Sequence, residues 1–97
     1  MVEKDKYPEL ANFIENYFGE DFDLWGNTIP EIVDFYKRES EPSQHNLLIN
    51  EINNFTNNNI DDLDRCFKEV YGLYFDPEPW GHTTSSFLNE LKRLLQE

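Results

Sequence analysis

Asp21, Asp23 and Gly26, in the stretch Asp21-Phe22-Asp23-Leu24-Trp25-Gly26, stand at the first, third and sixth positions of an EF-hand calcium loop. In such a loop carboxylates ligate the ion and the glycine makes the sharp turn. The match stops there, because the fifth position is Trp25 and the twelfth, which should be a bidentate glutamate, is Ile32. Glu31 is one residue out of place and Pro30 interrupts the spacing. Two carboxylates do not make a selective site. Zinc has less support still, since Cys66, His45 and His82 lack the paired spacing of a structural site. Ser85 and Ser86 fall in the first turn of a helix, and neither a nucleophile elbow nor a phosphate-binding glycine loop is present. His45 and His82 read as surface or locally hydrogen-bonded residues, and Cys66, beside Phe67, as a small packed side chain. The expectation is a chain with no catalytic residue, no cofactor and no metal.

What remains is charge set among aromatic rings. Tyr17 to Gly26 holds three carboxylates, Glu20, Asp21 and Asp23, among Tyr17, Phe18, Phe22 and Trp25. A second acidic loop holds Asp76, Glu78 and Trp80, and in both loops the tryptophan directly precedes a glycine. Over 97 residues, 20 acids stand against 8 bases, a formal charge of −12. Such a surface repels nucleic acid phosphates and anionic membranes, and it steers basic proteins toward it. Tryptophan is a frequent interface anchor, although a tryptophan can also close one end of a small core. Asp23 is expected to brace the turn into the following helix, whereas Glu20, Asp21 and Trp25 are offered to a cationic partner. Glu31, Asp34, Glu39 and Glu41 form an alternative acidic face. The residues alone leave three readings open: a binding module for one basic protein, an acidic calcium-sensing or regulatory protein-binding domain, and a broad mimic of DNA that blocks many basic nucleases.

These loops must be held by helices, because no segment alternates with period two. Pro8 and Glu9 suit a first helical turn, and Leu10, Phe13, Ile14, Tyr17 and Phe18 make one apolar stripe ended by Gly19. Thr28 and Glu31 form a capping-box pattern before Ile29, Ile32, Val33, Phe35 and Tyr36, with Lys37 and Arg38 in the last turn. After Ser40-Glu41-Pro42, a third helix starts at Ser43 and turns Leu47, Leu48, Ile52 and Phe55 inward. A fourth, capped by Asn59 or Asp61, carries Ile60, Leu63, Phe67, Val70, Tyr71 and Tyr74. A fifth, capped by Thr83 or Thr84, carries Phe87, Leu88, Leu91, Leu94 and Leu95. The fold expected is all-α, one small domain over residues 1–97, a compact bundle of about five short helices.

A chain of this size buries roughly 60 to 65% of its unfolded surface, and its 15% aromatic content helps fill one core. The opening MVEKDKYPEL has no apolar signal region, apolar runs are far too short to span a bilayer, and a lone Cys66 forms no internal disulfide. A cytoplasmic location is expected, so Asn54-Phe55-Thr56 is a chance match to a glycosylation acceptor.

Tyr7-Pro8-Glu9-Leu10, then Tyr17-Phe18 followed by Asp21 and Asp23, then Gly26 before a capped helix, is similar to the opening of the immunity proteins of bacterial contact-dependent growth inhibition. Tyr74, the proline-containing loop, Gly81-His82-Thr83 and the closing helix resemble that family's glycine-threonine turn and final helix. Where the family often carries a Trp-Leu pair, this chain has Phe87-Leu88, which keeps an aromatic core position. The resemblance implies a small helical bacterial protein, monomeric when free, that binds the C-terminal toxin domain of a delivered effector one to one in the cytoplasm and blocks it without catalysis. Many such toxins are nucleases, including ribonucleases, whose active sites are basic. The toxin-binding residues expected are therefore Glu20, Asp21, Asp23 and Trp25, with Asp76, Glu78 and Trp80 as a second patch.

Overall fold

Proline opens the first helix because its fixed φ suits that position and its missing N–H is not needed there. In the computed structural model, which describes residues 6–19 and 22–97, α1 runs Pro8–Tyr17, α2 Ile29–Glu39, α3 Pro42–Asn58, α4 Leu63–Tyr71 and α5 Thr84–Gln96. Three short 3₁₀ turns, Phe22–Leu24, Ile60–Asp62 and Glu78–Trp80, shape the connections. The described residues contain no strand, so the fold is all-α, and no helix among them is long and apolar enough to cross a membrane.

Thr28 and Thr83 cap α2 and α5, whereas α4 begins only after the 3₁₀ turn Ile60–Asp62, so its N-cap is Asp62, with no side-chain cap bond, and not Asn59 or Asp61. Thr28 Oγ1 accepts the Glu31 N–H at 3.3 Å, but the Glu31 carboxylate reaches one residue further back, accepting the Asn27 N–H at 3.0 Å and the Thr28 hydroxyl at 3.2 Å. Pro42 does not merely end α2. It is also the first residue of α3, whose Gln44 Oε1 accepts the Glu41 N–H at 2.9 Å. At α5 the reciprocal box is complete, Thr83 Oγ1 taking the Ser86 N–H at 3.1 Å and Ser86 Oγ the Thr83 N–H at 2.9 Å.

The apolar stripes meet in one core in which α5 packs against α2, α3 and α4, while α1 packs against α3 and α4. Its centre is aromatic: Phe13 meets Tyr36 edge to face at 4.8 Å, and Phe18 meets Phe87 likewise at 5.4 Å. Pairs of this kind contribute about 0.5 to 1.5 kcal/mol beyond the area they bury. Three expected core positions are not inside. Leu47 is 47% exposed, since it lies beside rather than on the stripe Leu48, Ile52 and Phe55. Ile60 is 68% exposed because its 3₁₀ turn, with three residues per turn, rotates it away from the α4 face. Tyr74 lies beyond the end of α4 and is exposed.

Helix ends are also satisfied from other helices. Tyr7 supplies no side-chain cap to α1, and the Glu51 carboxylate of α3 takes its place by accepting the Leu10 N–H at 3.0 Å. Lys37 of α2 donates across to the carbonyls of Leu94, at 2.9 Å, and Glu97, at 2.7 Å, so its charge sits at the negative end of α5 as well as in its own last turn. Tyr36 donates to Glu9 Oε1 at 2.7 Å, and the Asn58 amide donates to the Tyr7 hydroxyl at 2.9 Å. Together these ties fix α1 and α2 to the bundle and thereby the loop between them.

Candidate functional site

The loop after α1 folds on itself through backbone bonds. Phe22 donates to the Gly19 carbonyl at 3.1 Å, and the Phe22 carbonyl accepts from Trp25 at 2.9 Å and Gly26 at 3.3 Å. The Gly26 backbone runs so close to α2 that a Cβ there would stand 2.6 Å from the Glu31 Cβ. Trp25 lies half-buried across the α1–α2 edge, stacked on Phe35 at 4.9 Å. Its indole N–H donates to the Asn16 carbonyl at 2.9 Å, satisfying one of the carbonyls left over at the end of α1. Asp23 is exposed and makes no hydrogen bond to another described residue. The turn into α2 is braced instead by Glu31. Glu20 and Asp21 lie outside the described residues.

The second loop is built from prolines and one left-handed glycine. Asp76 Oδ1 accepts the Glu78 N–H at 3.1 Å, and the Pro77 carbonyl accepts from Trp80 at 3.0 Å and His82 at 3.1 Å. Gly81 then turns the chain with φ +84°. His82 Nδ1 and Ser86 Oγ are 2.9 Å apart, but Ser86 is already committed to Thr83 in the α5 cap, so the pair is part of helix initiation rather than a nucleophile with its base. His45 Nε2 similarly lies 2.8 Å from Ser40 Oγ.

Trp80 joins the two loops. Its ring sits 5.1 Å from Phe22, 5.7 Å from Phe75 and 6.3 Å from the core residue Phe18. The acidic stretches thus share one end of the bundle through the Phe22–Trp80 contact, although more than fifty positions separate them in sequence. Asp23, Asp76 and Glu78 are all exposed there. Trp25 belongs to a different edge.

Next to Asp76 and Glu78 lies a cavity of about 300 Å³ between the end of α4 and the 75–84 segment. Phe67, Phe75 and Pro77 line it on the apolar side, and the acidic residues Asp64, Asp76 and Glu78 and the basic Lys68 complete its charged lining. One residue beyond Gly72 in its wall, Leu73 is 97% exposed. Sequence reasoning missed Leu73 and this cavity. A leucine directly after the glycine that ends a helix was the available signal.

Most cations are committed elsewhere. Arg38 pairs with Asp34, Arg65 with Asp62, and Arg93 with Glu90 and Glu97, all three or four residues away in sequence. Lys37 and Lys92 bond across helices, Lys92 to Asn53 Oδ1 at 2.9 Å. Among the described residues no cation forms an ion pair with Asp23, Asp76 or Glu78. The arrangement can bind positive charge. Among the described residues no His, Cys, Asp and Glu side chains gather in a group of three or more suited to hold a metal ion.

No curated protein and no solved structure matches the chain. A family model described as CdiI immunity protein matches residues 6–95, from the turn before α1 through nearly all of α5. That span contains both loops, the Phe22–Trp80 contact, four helices whole and α5 but for its last residue, and on it the chain belongs to the CdiI immunity protein family, whose members neutralise a cognate toxin.

Proposed function

We propose that this chain neutralises a positively charged toxin domain, a nuclease, by forming a one-to-one complex in which its carboxylates occupy the cleft that holds the phosphates of the toxin's substrate. One observation carries the reading: Phe22 against Trp80 gathers exposed Asp23, Asp76 and Glu78 at one end of the bundle, where no cation of the described residues pairs with them. Glu20 and Asp21 precede Asp23 in sequence and add charge to the same loop. The half-buried rings of Trp25 and Trp80 supply apolar edges on a scaffold that needs little ordering to bind.

A specific interface buries about 1,200 to 2,000 Å² in total, enough to draw on both loops. Complementary charge raises association rates about 10- to 1,000-fold and makes them sensitive to salt. The test measures association of the chain with the toxin domain encoded beside it, across a salt series. Reversing Asp23, Asp76 and Glu78 to lysine is expected to slow association at low salt by roughly tenfold or more and to flatten its salt dependence. An unchanged rate and slope would move the interface elsewhere, with the Asp34 and Glu39 face of α2 next in line.

A further inference from the structure

We infer that the cavity between α4 and the 75–84 segment is the socket for one basic side chain, an arginine or lysine, of the bound toxin. This rests on the proposed neutralisation of a basic toxin and adds to it a specific point of grip. The cavity, about 300 Å³, lies at the small end of ligand pockets, which run from about 300 to 1,000 Å³. It has room for a long side chain and little for a cofactor. Its chemistry is divided as such a side chain is divided. Phe67 and Phe75 give an apolar floor for the aliphatic stem, and the carboxylates of Asp64, Asp76 and Glu78 line it for the cationic head.

Three acidic residues and one basic residue, Lys68, line it, so the lining is net negative by two. Lys68 is exposed on α4 and forms no ion pair with the described acids, so nothing holds it against an entering cation. An anion or a neutral apolar group would leave that charge uncompensated, which selects a cation. The setting is also ordered in advance: Asp76 is fixed by the Glu78 N–H, and the floor rings are buried in the core. Leu73, the residue after Gly72 of the lining, stands 97% exposed and offers the partner an apolar contact as well as the charged one, the combination that binding hot spots use.

The experiment is a double-mutant cycle on the complex. Asp64→Asn with Glu78→Gln removes charge while keeping size and leaves the Asp76 turn intact; the control, Asp34→Asn with Glu39→Gln, removes the same charge from α2. Each is measured for dissociation from the neighbouring toxin domain, both unaltered and with its surface arginines and lysines replaced singly by alanine. The expected result is at least a tenfold faster dissociation for the cavity pair, less than threefold for the control, and one toxin residue whose replacement abolishes that difference. Equal effects of the two pairs, or coupling spread evenly over many toxin residues, would overturn the socket and leave the neutralisation standing. Failure of the unaltered chain to bind that toxin would overturn both.

Discussion

Glu51 on α3, a residue only 6% exposed, caps α1: its carboxylate accepts the Leu10 N–H at 3.0 Å across 41 positions of sequence. A helix starts with N–H groups that lack partners, and here the acceptor comes from a neighbouring helix. Burial pushes the Glu51 carboxyl above its usual value, opposed by the N–H groups of Leu10 and Glu9 and assisted by the Glu9 charge.

The sign of that shift sets a pH dependence. A carboxyl raised in the folded state holds its proton more tightly there than in the unfolded chain, so its contribution is complete below the unfolded value, about 4.3, and declines as pH rises through the folded one. Glu51→Gln keeps an oxygen for the Leu10 N–H and loses the titration. Its stability relative to the native chain should therefore rise with pH, as denaturant midpoints at pH 4 and pH 7.5 will report. Glu51→Ala removes the acceptor and is expected to cost about 1 to 3 kcal/mol at either pH.

Trp25→Phe tests the bond from the indole to α1. Phenylalanine can stack on Phe35 but cannot donate to the Asn16 carbonyl, 2.9 Å from the indole nitrogen. Stability should fall by about 0.5 to 1.5 kcal/mol in urea unfolding, with little change in toxin binding because a ring edge remains.

Gly81 is a conformational test free of steric confusion. Its φ is +84°, and a Cβ built there meets nothing within 4 Å. Gly81→Ala is therefore expected to cost about 1 to 2 kcal/mol through backbone strain alone, and Gly81→Asn less, since asparagine tolerates the left-handed region. Thermal unfolding that ranks the three chains glycine, asparagine, alanine is the expected outcome.

Helix stripes and the Thr28 and Thr83 caps were legible in the sequence because each depends on residues three or four apart. The same locality explains what was not. Glu51 and Lys37 act on helix ends 41 and 57 positions away, and no local pattern assigns such partners. Glu51 nonetheless left a trace, since an acid at the inward register of Leu48, Ile52 and Phe55 must find a buried donor. Ile60 and Tyr74 were misplaced because a 3₁₀ turn and an early helix end break the 3.6-residue phase on which the expectation rested. Both tryptophans precede glycine in acidic loops, yet they lie at different edges of the bundle, a difference made by Phe35 for Trp25 and by Phe22 for Trp80. The two acidic loops were each visible, but their meeting was not.

That meeting gives the last prediction. Phe22 and Trp80 touch at ring centroids 5.1 Å apart and 71° between planes, so each holds the other's loop against the core. A cycle of Phe22→Leu, Trp80→Leu and the double variant should return a coupling of about 0.5 to 1.5 kcal/mol in unfolding free energy. Because leucine leaves every carboxylate in the chain, slower toxin association of Phe22→Leu would come from where the charges stand rather than how many there are, whereas Trp80→Leu also removes a ring edge offered to the toxin. The expected result is slower association for either variant at unchanged net charge, with the double variant no slower than the worse single one. Additive effects on stability and association would mean that the two loops are positioned independently and that this ring contact does not hold them together.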